Sequence, residues 1–142
     1  MHDHIQSWIN DLSSPRNELG GYSACPFAKS AVYEMLQVDN ENDIIPPSHS
    51  FELIIYVLPQ TLSEDQLFEI TNNLKIKYPQ YIFLPDHYQR STYVNGVQTN
   101  NGKFNLILCQ WRNDLEEARS KLSRTKYYSF WNEEYLKEIK SA

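Results

Sequence analysis

The chain has 142 residues, 41% hydrophobic and 22% charged, enough for one domain with a real core, and this balance excludes a wholly disordered or fibrous protein. Its formal charge of −5 speaks against nucleic acid and anionic membrane as partners, because both draw affinity from clustered Lys and Arg. The two cysteines, Cys25 and Cys109, are too few and too far apart for a disulfide framework or a zinc ribbon, and no cofactor is implied.

The start of the chain lacks a basic segment followed by an apolar run, so no secretory signal is expected and a cytoplasmic location follows. The longest near-apolar run, 53–58, is far short of the roughly 20 residues that cross a bilayer. Ile5, Trp8, Ile9 and Leu12 fall at i, i+3, i+4 and i+7, which predicts a first amphipathic helix. A second helix is predicted to start at Cys25-Pro26, since Pro suits the first helical position. Ala28, Ala31, Val32, Met35 and Leu36 carry its stripe to about residue 36. The acidic, Asn-rich residues 39–43 and Pro46-Pro47 then read as an exposed linker.

Residues 51–58 have the continuous apolar pattern of an interior strand. Ser63 with Gln66 forms a capping box, Leu62 and Leu67 occupy the staple positions, and Glu64-Asp65 suit the first turn of the best-marked helix in the chain. Leu67, Ile70 and Leu74 give its buried stripe, and Pro79 prevents its continuation. A short strand over 81–84 follows. Asn95-Gly96 predicts a two-residue hairpin turn, because both residues accept the positive φ angles of a type I′ turn. A strong strand over 104–111, a helix capped by Asn113, a last strand over 126–130 and a terminal helix complete the reading.

The expected class is α+β, a ferredoxin-like antiparallel sandwich of order strand-helix-strand-strand-helix-strand with helices on one face, two extra N-terminal helices and a short C-terminal helix. A mostly parallel α/β fold is the rival. Within a single domain, 1–38 would be a helical extension carrying Cys25, 39–50 the linker, 51–131 the α+β core and 132–142 the last helix.

Cys25 is the sharpest chemical feature, since a thiol at a helix N-terminus can be held as thiolate near neutral pH. Its bland alternative is an inert buried thiol. Cys109, inside an apolar strand, reads as core. The polar cluster Asp86, His87, Tyr88, Gln89 and Arg90 leaves the 81–84 strand where functional loops commonly emerge. His87 is the candidate base toward Cys25, with Asp86 and Tyr88 beside it. Asp86 is a poor orienter for His87, because neighbours on an extended chain point apart. Lys29, Gln89, Arg90, Asn101 and Lys103 are the candidate ligand-binding residues. The histidines and cysteines show no paired metal-ligand spacing.

Trp8 in a leading helix, Cys25-Pro26-Phe27-Ala28-Lys29, and Pro85-Asp86 with Tyr88-Gln89 ahead of an Asn-containing loop and an apolar strand together resemble a bacterial family, domain of unknown function 1415. The later family motif looks like His-Pro-Asp-Tyr-Gln-Phe. Here Leu84 stands at the His position, His87 is inserted and Arg90 replaces the Phe. A following Asn-Arg-Ser-Pro-Tyr-Pro segment is reduced to Asn101-Gly102-Lys103-Phe104-Asn105. The resemblance implies a correspondence at Cys25, Asp86, Tyr88 and Gln89, and no reaction.

Two functions follow as expectations. The first is a pocket between the Cys25 helix start and the 85–103 loop that takes a small polar or anionic ligand, with Cys25 as thiolate. The second is a non-catalytic module that binds a protein partner through a Tyr/Trp-rich surface. A homodimer through the aromatic C-terminal segment is a further expectation.

Overall fold

The continuous apolar run of 53–58 follows from burial on both sides. The computed structural model describes residues 1–13, 32–47, 51–91, 93–94 and 97–123. Its main sheet has four strands: β1 (Tyr33–Gln37), β2 (Leu53–Leu58), β3 (Tyr81–Asp86) and β6 (Asn105–Trp111), in the order β1-β2-β6-β3. A separate hairpin joins β4 (Tyr93–Val94) to β5 (Val97–Gln98), with Val94 opposite Val97 and a two-residue connection between them.

Alternate residues of β2 face two cores. Ile54, Tyr56 and Leu58 pack with Leu67 and Leu74 of α2 (Glu64–Lys77), together with Phe83, Ile107 and Cys109. Ile55 and Val57 pack with Ile5 and Ile9 of α1 (His2–Ser13) and with Leu106. A strand buried on both faces has no polar side to alternate with. The extra helix α1, whose face the expectation left open, lies opposite α2.

The capping box forms as its residues predict. Ser63 Oγ accepts from the Gln66 N–H at 3.1 Å, and Gln66 Oε1 accepts from the Ser63 N–H at 2.8 Å. At the other end the Tyr78 N–H donates to the Leu74 carbonyl at 2.8 Å, directly before Pro79. The helix returns the chain to β3, which runs parallel to β2 because both are antiparallel to β6 between them. In this unit one antiparallel strand, β6, lies between the two parallel strands β2 and β3.

One strand of the sheet was not expected. Beside β2 lies β1, parallel to it, with Tyr33 opposite Leu53 and Gln37 opposite Val57. The sheet is mixed, and a ferredoxin-like order is not reproduced. Residues 33–36, expected to close the second helix, are thus strand: Tyr33 and Met35 pack toward α1 while Glu34 and Leu36 are exposed. The expected exposed linker is also corrected in part. Glu41–Asp43 forms a single 3-10 turn capped by Asn40, and Ile44 behind it is fully buried in the α2-side core.

β3 extends two residues beyond the expected end and takes in Pro85, opposite Ile107. Among the described residues β3 lies at the end of the sheet order, a position where proline's missing N–H is tolerated. α3 (Arg112–Ser123) begins one residue before the expected cap. Arg112 fixes that start, its N–H donating to the Gln80 carbonyl at 3.1 Å and its Nε to the Pro79 carbonyl at 3.1 Å. The expected helix start at Cys25, the last strand at 126–130 and the terminal helix lie outside the described residues. No described helix is long and apolar enough to cross a membrane.

Candidate functional site

The polar cluster after β3 meets the loop before β6, and Asn101 is where they join. Its backbone N–H and its Nδ2 both donate to Asp86 Oδ2 at 3.0 Å, and Nδ2 also donates to the Phe104 carbonyl at 2.8 Å. Its Oδ1 accepts from the N–H groups of Lys103 at 3.0 Å and Phe104 at 2.7 Å. Its carbonyl accepts from His4 Nε2 at 3.0 Å. Every polar atom of Asn101 is thereby used, as its burial demands. The short Asn side chain substitutes for backbone partners that a tight turn lacks. Gly102, next in sequence, takes the left-handed φ of 74° that lets the turn close.

α1 fastens this loop from the other side. Trp8 Nε1 donates to the Thr99 carbonyl at 2.9 Å, and the His4 ring meets Phe104 edge-on at 5.5 Å. A second asparagine, Asn105, ties the post-β3 turn to the β2–α2 connection. Its Oδ1 accepts from the Tyr88 N–H at 3.1 Å, and its Nδ2 donates to the carbonyls of Pro59 at 2.9 Å and Leu62 at 3.4 Å.

His87 is 1% exposed. Its Nε2 lies 2.8 Å from the Leu62 carbonyl, and its Nδ1 lies 3.1 Å from the Gln89 N–H. A carbonyl only accepts and an amide N–H only donates, so Nε2 carries the proton and Nδ1 accepts. Both ring nitrogens are engaged by backbone, and the ring stacks on Tyr88 at 4.9 Å. Asp86 and His87 point apart, one to Asn101 and the other to Leu62. Burial is the main influence on the Asp86 carboxyl, raising it to about 6, while the hydrogen bonds from Asn101 and the charges of Arg90 and His87 pull the other way.

The candidate ligand residues divide. Gln89 and Lys103 are exposed, whereas Asn101 is buried. Arg90 lies back on α2, with Nε 3.6 Å from Glu64 Oε1 and its guanidinium 5.0 Å from the centre of the Phe68 ring. Cys25 and Lys29 lie outside the described residues, and so does the Cys25–His87 dyad. Cys109 is fully buried between Ile54 and Phe83, and burial pushes its thiol up to about 12. A thiol so placed is not a thiolate at neutral pH. Among the described residues no three His, Cys, Asp or Glu side chains come together as metal ligands.

The sequence pointed to Asp86, His87, Tyr88 and Asn101 but missed His4, Trp8, Thr99 and Asn105 as members of the same network. The available signal was turn chemistry: Asn100-Asn101-Gly102 is a strong turn sequence, and Asn105 is a polar residue opening an otherwise apolar strand. No protein family, curated protein or solved structure matches the chain.

Proposed function

We propose that the chain is a non-catalytic binding module, in which the hydrogen-bonded turns at 86–90 and 99–105 form a platform presenting Gln89 and Lys103, with Tyr93 between them in sequence, to a protein partner. One observation carries this reading: both ring nitrogens of His87 hold backbone, and every polar atom of Asn101 is taken up by Asp86, His4 or the backbone of 103–104. A general base needs an acceptor within reach of the proton it takes. His87 Nδ1 already accepts from the Gln89 N–H, so the ring serves the turn. Tyr93, 48% exposed on the hairpin beside this platform, is the kind of rigid, amphipathic side chain that interfaces favour. A homodimer is the simplest such partnership, and the cytoplasm is the proposed location. The resemblance to domain of unknown function 1415 belongs to the same reading, with Asp86, Tyr88 and Gln89 of its motif falling on the platform.

The exposure of Gln89 and Lys103 also favours a second reading, a small polar or anionic ligand bound beside the loop with Cys25 as thiolate. The two readings separate by substitution. The combined variant Tyr93→Ala with Lys103→Glu, at exposed positions, is expected to keep the fold and to lose self-association in analytical ultracentrifugation, or a partner crosslinked to the tagged full chain. Cys25→Ser is expected to keep both. Loss in Cys25→Ser with retention in the surface variant would overturn the binding-module reading in favour of the thiolate pocket.

A further inference from the structure

We propose that Asn101–Gly102 is a self-modification site, where loss of ammonia from the Asn101 side chain converts the closed 99–104 loop into an open one irreversibly. Two observations on the same turn carry it. Gly102 follows Asn101 directly, is exposed to water and, having no Cβ, leaves its own backbone nitrogen unshielded. Asn101 is also the point that binds the end of β3 through Asp86, the start of β6 through Phe104 and α1 through His4. A change at this one side chain is felt by three elements.

The reaction consumes only water. The Gly102 nitrogen gives up its proton to hydroxide and attacks Asn101 Cγ, the Cγ–Nδ2 bond breaks, and Nδ2 departs as ammonia with a proton from water, which restores the hydroxide. Water then opens the five-membered imide. Aspartate results where the Gly102 nitrogen leaves Cγ, and isoaspartate where it leaves the main-chain carbonyl carbon of residue 101.

The closed loop opposes the first of these steps. Asn101 is 7% exposed, Nδ2 is held by Asp86 Oδ2 at 3.0 Å and the Phe104 carbonyl at 2.8 Å, and Oδ1 is held by the N–H groups of Lys103 and Phe104. The donors on Oδ1 would steady the charge that attack places there. The same four bonds fix the plane of the carboxamide, however, and expulsion of Nδ2 breaks two of them without replacement. Reaction therefore runs through the open loop, and its rate follows the open fraction.

The product does not fit the closed loop again. An oxygen takes the place of Nδ2, so acceptor meets acceptor both at Asp86 Oδ2 and at the Phe104 carbonyl. A proton shared between the two carboxyl groups restores only the first contact, because the Phe104 carbonyl brings none. The isoaspartyl form also adds one main-chain carbon to the turn that Gly102 closes. The chemistry needs no partner, so it stands apart from the recognition proposed above.

Site-resolved mass spectrometry of the full chain at pH 8 tests it, counting aspartate and isoaspartate at position 101 over time. Conversion is expected to be about thirty- to a hundredfold slower in the native chain than in guanidinium chloride, a ratio set by the cost of opening buried hydrogen bonds. Asp86→Ala removes the acceptor of two of the Asn101 bonds and should speed native conversion about tenfold while the Ile107 amide stays protected from exchange. Asn101→Asp, made directly, should exchange its own amide about tenfold faster than the wild type, again with Ile107 protected. Native conversion as fast as in denaturant, no conversion in denaturant, an Asp86→Ala chain no faster than wild type, or wild-type amide protection in Asn101→Asp would each overturn the proposal.

Discussion

The α2 side of the sheet and the loop end of β3 and β6 are ordered by different physics. On the α2 side, Ile54, Leu58, Leu67, Leu74, Phe83 and Ile107 exclude water by apolar packing, and the Tyr56 hydroxyl is buried without a hydrogen-bond partner among the described residues. At the loop end, the buried asparagines at 101 and 105 and His87 have their side-chain polar atoms hydrogen-bonded, chiefly to backbone and, for Asn101, also to Asp86. Apolar packing is non-directional and tolerates an orphan at some cost, whereas a polar network fixes geometry atom by atom and tolerates none. A surface loop that keeps one shape needs the second kind of order.

The contrast breaks most forcefully in the apolar region. Phe83→Ala removes a fully buried ring and is expected to lower unfolding free energy by about 3–5 kcal/mol in denaturant titration. The loss should be global, with exchange accelerated throughout β2, β3 and β6. Asn101→Ala is expected to cost about 2–3 kcal/mol, because it strands buried backbone N–H groups and a carboxyl. Here the loss should be local first. Exchange should accelerate at Lys103 and Phe104 while Leu74 in α2 stays protected, and uniform acceleration would show that the two regions form one cooperative unit.

Tyr56→Phe has the smallest expected effect and the opposite sign. Burial already drives the Tyr56 phenol far above its usual range, and nearby Cys109, Tyr78, Tyr81 and Glu34 add to the rise. Deleting an unpaired buried hydroxyl should leave stability unchanged or raise it by about 1 kcal/mol in the same titration. A clear destabilisation would mean that the hydroxyl has a partner such as an internal water.

Much of the fold was legible where one local rule dominated. The Ile5-Trp8-Ile9 stripe and the Ser63–Gln66 box each carry a mechanism that acts within a few residues. β1 was misread because Val32, Met35 and Leu36 satisfy helical spacing when viewed as a continuation from Ala28. What decides their conformation is a non-local ladder with β2, whose paired residues lie twenty positions further along the chain. The placement of α1 opposite α2 was hidden for the same reason, although the unbroken apolar run of β2 already called for cover on both faces. At the candidate site, residue types identified the cluster but not its roles. An asparagine that organises a loop and one that binds a ligand look alike until the partners of its four polar atoms are known.

The central claim is that His87 holds the turn and is not poised as a base. Long-range proton–nitrogen correlation spectra of the histidine rings at neutral pH test it most directly. A single, slowly exchanging neutral tautomer with the proton on Nε2 is the predicted result. A proton on Nδ1, or rapid averaging between the two nitrogens, would contradict the account and return His87 to the list of catalytic candidates.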